Sequence, residues 1–196
     1  MTKLVLLTLA ILPITACKND KAPEAADKAA AAKPEAADKA AAAKPEAAKP
    51  EAPIELSDTL DLGAAITDPD EKSYAGLTSK APKGSKAEPG LVGVLVRMGE
   101  RQAFEVSKAF EPGEHVPKAK QKAQDDTLDK LVKLHIDTPE AILWETASQL
   151  GGENNFHFAA EVKVGDAAYK CGNTGYGNFT RAQAEALLKS CQSLAK

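Results

Sequence analysis

Residues 156–171 read FHFAAEVKVGDAAYKC, and how this stretch is read decides the fold. Phe156, Phe158, Ala160, Val162 and Val164 alternate with His157, Ala159, Glu161 and Lys163. That is the period-two pattern of a strand with one face toward a core. Gly165-Asp166 then forms a two-residue hairpin loop with glycine first. So short a loop sets the register of the returning strand. It pairs Val164 with Ala167, Val162 with Tyr169 and Ala160 with Cys171, and Cys171 falls on the core-facing side.

Downstream, Thr180 and Gln183 have the spacing of a capping box that opens a final helix over about 181–194. Leu187, Leu188, Cys191 and Leu194 share one face of it. Cys171 and Cys191 therefore point into the same core from a strand and from the helix packed on it, and a disulfide between them is expected in an oxidising compartment. The connecting segment Cys171-Gly172-Asn173-Thr174-Gly175-Tyr176-Gly177-Asn178-Phe179 is glycine-rich and leads into a helix start. Asn173, Gly175, Tyr176, Gly177 and Asn178 form a candidate binding loop for a sugar, peptide or anion. The alternative is a tight connector whose glycines satisfy turn geometry and whose aromatics plug the core.

Upstream, Leu91-Val92-Gly93-Val94-Leu95-Val96, a turn at Gly99-Glu100-Arg101, and the alternation of Phe104 and Val106 read as a second hairpin. Leu128, Leu131, Val132 and His135 have helical spacing, which predicts a helix over about 119–135. Thr138-Pro139-Glu140 followed by Ile142, Leu143, Trp144, Ala147 and Leu150, with Gly151-Gly152 as a stop, predicts another. A strand at Ile142–Glu145 is the alternative. Residues 54–90 are turn-rich and predict a mostly irregular lead-in, with one edge strand near Ile54–Leu62. The expected fold class is α+β, a small antiparallel sheet of two hairpins with about three helices on one face, occupying residues 91–196.

The chain opens with Lys3 and an apolar run from Leu4 to Leu12, too short to span a bilayer and laid out like a secretory signal. Ile14-Thr15-Ala16-Cys17 resembles the lipobox of bacterial lipoproteins. The resemblance covers the signal alone. It implies cleavage after residue 16, a diacylglyceryl group on Cys17 and anchoring to a lipid bilayer. Lys18 stands where the enteric sorting pattern has an Asp for inner-membrane retention, so the resemblance favours the outer membrane, with the domain in the periplasm or at the cell surface.

Residues 18–53 are almost wholly Ala, Lys, Glu, Asp and Pro, with Pro23, Pro34 and Pro45 each opening a Pro-Glu-Ala-Ala unit. Lacking aromatic and large aliphatic residues, this segment cannot bury enough surface to offset ordering entropy, and the expectation is a disordered tether.

A net charge of −3 gives no basic footprint for nucleic acid. No Gly-x-Ser-x-Gly, His-Glu-x-x-His or Gly-Lys-Ser/Thr motif is present, and no histidine lies near the cysteines at metal-ligand spacing. His135 reads as a packed structural residue ending a helix, and His157 as a surface neighbour of Glu161. No cofactor, metal site or catalytic residue is expected. The functional expectation is a tethered, non-catalytic domain of the cell envelope that binds or supports an envelope protein or peptidoglycan. An envelope hydrolase or hydrolase inhibitor is the alternative. A pocket with converging carboxylates would favour the enzyme, and a shallow surface with exposed aromatics would favour binding.

Overall fold

The computed structural model describes residues 52–66, 71–173 and 175–196. The expected signal, Cys17 and nearly all of the expected tether lie outside the described residues. The described strands are β1 (Leu56–Asp61), β2 (Thr78–Pro82), β3 (Ser85–Pro89), β4 (Val94–Met98), β5 (Arg101–Lys108), β6 (Asp129–Asp137), β7 (Ala141–Ser148), β8 (Asn155–Val164) and β9 (Ala167–Gly172). The helices are α1 (His115–Asp125) and α2 (Arg181–Gln192), with short 3-10 turns at Gly63–Ala65 and Lys72–Tyr74. Seven strands form one antiparallel sheet in the order β3-β4-β5-β9-β8-β7-β6, while β1 and β2 pair separately. Among the described residues no helix is long and apolar enough to cross a membrane.

The hairpin at 156–171 has the expected register, with Val164 opposite Ala167, Val162 opposite Tyr169 and Ala160 opposite Cys171. Its two faces meet different partners. Phe158, Ala160 and Cys171 enter the main core with Leu187, Leu188 and Cys191 of α2. Ala159 lies on the other face with Ile142, Trp144 and the α1 residues Val116 and Ala123. The two helices thus cover opposite faces of one sheet.

This corrects the expected small sheet of two hairpins with about three helices on one side. The predicted helix at 119–135 ends at Asp125, and β6 follows. In β6 the register shifts between Leu131 and Lys133 and again between Leu134 and Ile136. Each shift adds a residue to the strand. Leu131 and Leu134 therefore face α1 three positions apart, a spacing that imitates a helix. The second predicted helix is β7. It is covered on both sides, so Ile142-Leu143-Trp144 is a continuous apolar run rather than an alternating one. Thr138 does not cap a helix. Its hydroxyl accepts from the Ala141 amide at 3.0 Å and its own amide donates to the Ala141 carbonyl at 2.9 Å, closing the β6–β7 turn. Threonine followed by proline serves a turn as well as a helix start.

In the stretch expected to be mostly irregular, the one expected strand near Ile54–Leu62 is β1, but β2 and β3 follow it, and Leu60, Leu62, Tyr74, Leu77 and Ala81 belong to the main core. The Ser79 hydroxyl donates to the Ser190 carbonyl at 2.7 Å, and the Lys80 amide to Ser193 Oγ at 2.7 Å, so β2 is stitched to the end of α2. The first predicted hairpin stands as β4 and β5, but its opening strand begins at Val94, leaving Leu91 and Val92 exposed in the preceding turn. The capping box of α2 is complete, with the Gln183 amide donating to Thr180 Oγ1 and the Thr180 amide to Gln183 Oε1. Such a cap stabilises a helix by about 1 kcal/mol.

Candidate functional site

Cys171 and Cys191 are disulfide-bonded, with Cα atoms 6.1 Å apart. The bond joins the last strand to the last helix and closes the glycine loop between them.

The polar groups of that loop are largely spent inside the protein. Asn173 is fully buried; its Oδ1 accepts from the Phe158 amide at 2.7 Å and its Nδ2 donates to the Phe156 carbonyl at 3.1 Å. It continues the β8 ladder where β9 ends. The Tyr176 hydroxyl donates to Glu105 Oε2 at 2.9 Å, and burial together with that carboxylate pushes its pKa up to about 12. The Arg101 guanidinium lies 4.5 Å over the Phe179 ring and donates to the Asn178 carbonyl. Gly175 and Gly177 have φ of +91° and +103°, backbone conformations that a residue with a Cβ rarely adopts. Of the five residues of the candidate loop, Gly175 alone lines the cleft that opens on the α1 face of the sheet.

That cleft, of about 480 Å³, lies between α1 and the strands beneath it. Its floor is built by β7 and β8. Trp144 and His157 are direct cross-strand partners there, and their rings stack with centroids 5.3 Å apart. The segment from α1 to the start of β6 supplies Lys118, Ala119, Lys122, Ala123, Asp126 and Asp129. Asp126 Oδ1 accepts from the Leu128 and Asp129 amides at 2.9 and 3.0 Å, and these two bonds hold its carboxyl below the usual range.

His157 differs from its expected place on an outer surface beside Glu161. It is 8% exposed, because α1 covers the strand face on which it lies. Its tautomer follows from its neighbours. Asn155 Oδ1 accepts from the Phe179 amide at 2.7 Å, which fixes Asn155 Nδ2 as the donor toward His157 Nε2 at 3.1 Å. Nε2 is thus an acceptor, with Thr146 Oγ1 also 3.2 Å away, and the ring proton sits on Nδ1. Nδ1 is buried and has no hydrogen-bond partner among the described residues. Burial lowers the ring's pKa, while Asp129 and Asp126 act in the opposite direction.

The other histidines have internal partners. His115 Nε2 lies 3.1 Å from the Cys171 carbonyl, and burial lowers its pKa. His135 ends no helix; it stands in β6 with Nε2 2.9 Å from Glu145 Oε2. Among the described residues no cluster of three or more His, Cys, Asp or Glu could hold a metal ion. Trp144, Thr146, His157 and Asp129 are not legible as neighbours in the sequence, where His157 reads only as a surface neighbour of Glu161. The signal that joins them is the period-two alignment of β7 with β8, which a helical reading of residues 138–150 conceals. Comparison with protein-family models, curated proteins and solved structures finds no match to this chain.

Proposed function

We propose that this chain is a lipid-anchored protein of the bacterial cell envelope whose domain binds a ligand or partner without catalysing a reaction. The cleft under α1 is its binding site. The observation that carries the reading is the Cys171–Cys191 disulfide. A structural disulfide between buried residues belongs to an oxidising compartment, which is where a secretory signal would deliver the chain. Of three cysteines it leaves Cys17, in the lipobox-like Ile14-Thr15-Ala16-Cys17, to take the lipid. A diacylglyceryl anchor contributes about 0.8 kcal/mol per buried CH2, enough with two or more chains to keep a protein on a bilayer. An outer-membrane address, a partner protein or peptidoglycan, and a tether over residues 18–53 complete the proposal.

Two carboxylates line the cleft, which is the feature a hydrolase would use. The Asp126 carboxyl, its pKa lowered by its two backbone amides, suits a charged binding wall better than a general acid. Binding is therefore the better reading. Fractionation of cells expressing wild type and Cys17→Ala tests the anchor: wild type should sediment with membranes and enter the detergent phase, and the variant should be soluble and folded. A variant that still partitions into detergent would refute it.

A further inference from the structure

We propose that α1 is an acid-released lid: it lies closed on the sheet while His115 and His157 are neutral, and it uncovers the cleft and the apolar strip beneath it when they take up protons. This goes beyond the binding reading, because it concerns when the cleft is open rather than what fills it.

α1 is thinly held. Of its side chains only Val116 and Ala123 are buried. They rest on Ile142, Trp144 and Ala159, beside a cleft of about 480 Å³. Polar ties at its two ends are the Gly113 amide, which donates to Glu161 Oε1 at 2.7 Å, and the exposed Lys120–Asp137 pair at 2.7 Å. An element that buries so little apolar surface opens at a lower cost than the domain unfolds. α2, by contrast, buries Leu187 and Leu188 and is cross-linked through Cys191.

The hydrogen bonds of the two imidazoles suit neutral rings. His157 Nε2 accepts from Asn155 Nδ2 at 3.1 Å, and Asn155 cannot turn over without stranding the Phe179 amide, which its Oδ1 accepts at 2.7 Å. A second proton, on Nε2, therefore sets donor against donor. Thr146 Oγ1, 3.2 Å away, is then the one acceptor among the described residues for an imidazolium with two N–H groups. Asp129, Asp126 and Lys122 are the charges acting on this ring from α1 and the segment after it, and burial outweighs the two carboxylates. His115, the first residue of α1, donates from Nε2 to the Cys171 carbonyl at 3.1 Å. Lys170 of β9 and Glu161 of β8 are the charges acting on it, and burial again disfavours the cation. No proton has to enter the closed site. Opening returns both rings to water, where they titrate near the ordinary 6.5, so below that pH protonation draws α1 into the open form.

Amide exchange of the full chain, followed from about pH 7.5 to about pH 5.5 and corrected for the intrinsic rate, tests the lid. Protection in residues 115–125 should fall by up to about tenfold per pH unit for each of the two histidines, while residues 181–192 keep theirs. Trp144, the only tryptophan in the chain and 4% exposed, should become open to acrylamide quenching over the same range. His157→Gln keeps an acceptor for Asn155 but cannot titrate, and His115→Gln keeps a donor for Cys171. Each should remove part of the fall, and the double variant should be flat. Asn155→Asp sets an acceptor against a protonated Nε2, so it should reduce the fall, and it tests His157 even where His157→Gln does not fold. Flat protection in wild type, equal loss in α1 and α2, or a wild-type fall in Asn155→Asp or the double variant would overturn the proposal. None of these outcomes depends on the lipid, so failure here is distinguishable from failure of the anchor.

Discussion

The Trp144 indole and the His157 imidazole stack across neighbouring strands at an interplanar angle of 29°, on the sheet face that α1 covers. A histidine in such a place is kept neutral by burial, which ties the site to the stability of the domain.

Acid should therefore destabilise the domain near neutrality. His157 and His115 both have pKa values lowered from 6.5 by burial. As pH falls below 6.5, the unfolded chain takes up these protons while the folded chain resists them, so stability is lost from that point downward. Denaturant unfolding followed from about pH 7 to about pH 5 should show a falling free energy, and His115→Gln should flatten part of the slope. A flat profile in wild type would contradict the burial of both rings.

The disulfide should matter to α2 before it matters to the sheet. The two cysteines are 20 residues apart, and closing such a loop is worth roughly 3 kcal/mol. Cys191→Ala should lower the unfolding free energy by about that amount, and in the reduced protein amide exchange should rise first in residues 181–192. Thiol labelling of Cys171 or Cys191 in the native protein would contradict the bond.

Asn173 and Asn178 should separate cleanly in a stability assay. Asn173→Ala strands the Phe158 amide and the Phe156 carbonyl inside the protein, a loss of about 2–4 kcal/mol. Asn178 is exposed and only its backbone carbonyl is engaged, by Arg101, so Asn178→Ala should stay within about 0.5 kcal/mol of wild type. Similar losses at the two positions would contradict the loop geometry.

The parts of the fold legible in the sequence are those where local chemistry has one reading. The Gly165-Asp166 turn permits one register, and the Thr180–Gln183 box marks one kind of end, so β8, β9, α2 and the cysteine pair could be placed in advance. The segment 128–150 has two readings. The extra residues in β6 give strand positions a helical spacing, and coverage of β7 on both faces removes its alternation. Only tertiary packing chooses between them. The candidate site inherits the same ambiguity. With residues 138–150 read as a helix, Trp144 and Thr146 are not neighbours of His157, and α1 has no sheet face to cover.

Whether the chain is an exported, lipid-anchored protein with an oxidised domain can be read from the intact mass of the protein purified from its native membranes. The expected species begins at Cys17, carries a diacylglyceryl group on that residue, and takes up thiol reagent at Cys171 and Cys191 only after reduction. A chain that retains residues 1–16, or an unmodified thiol at Cys17, would contradict it.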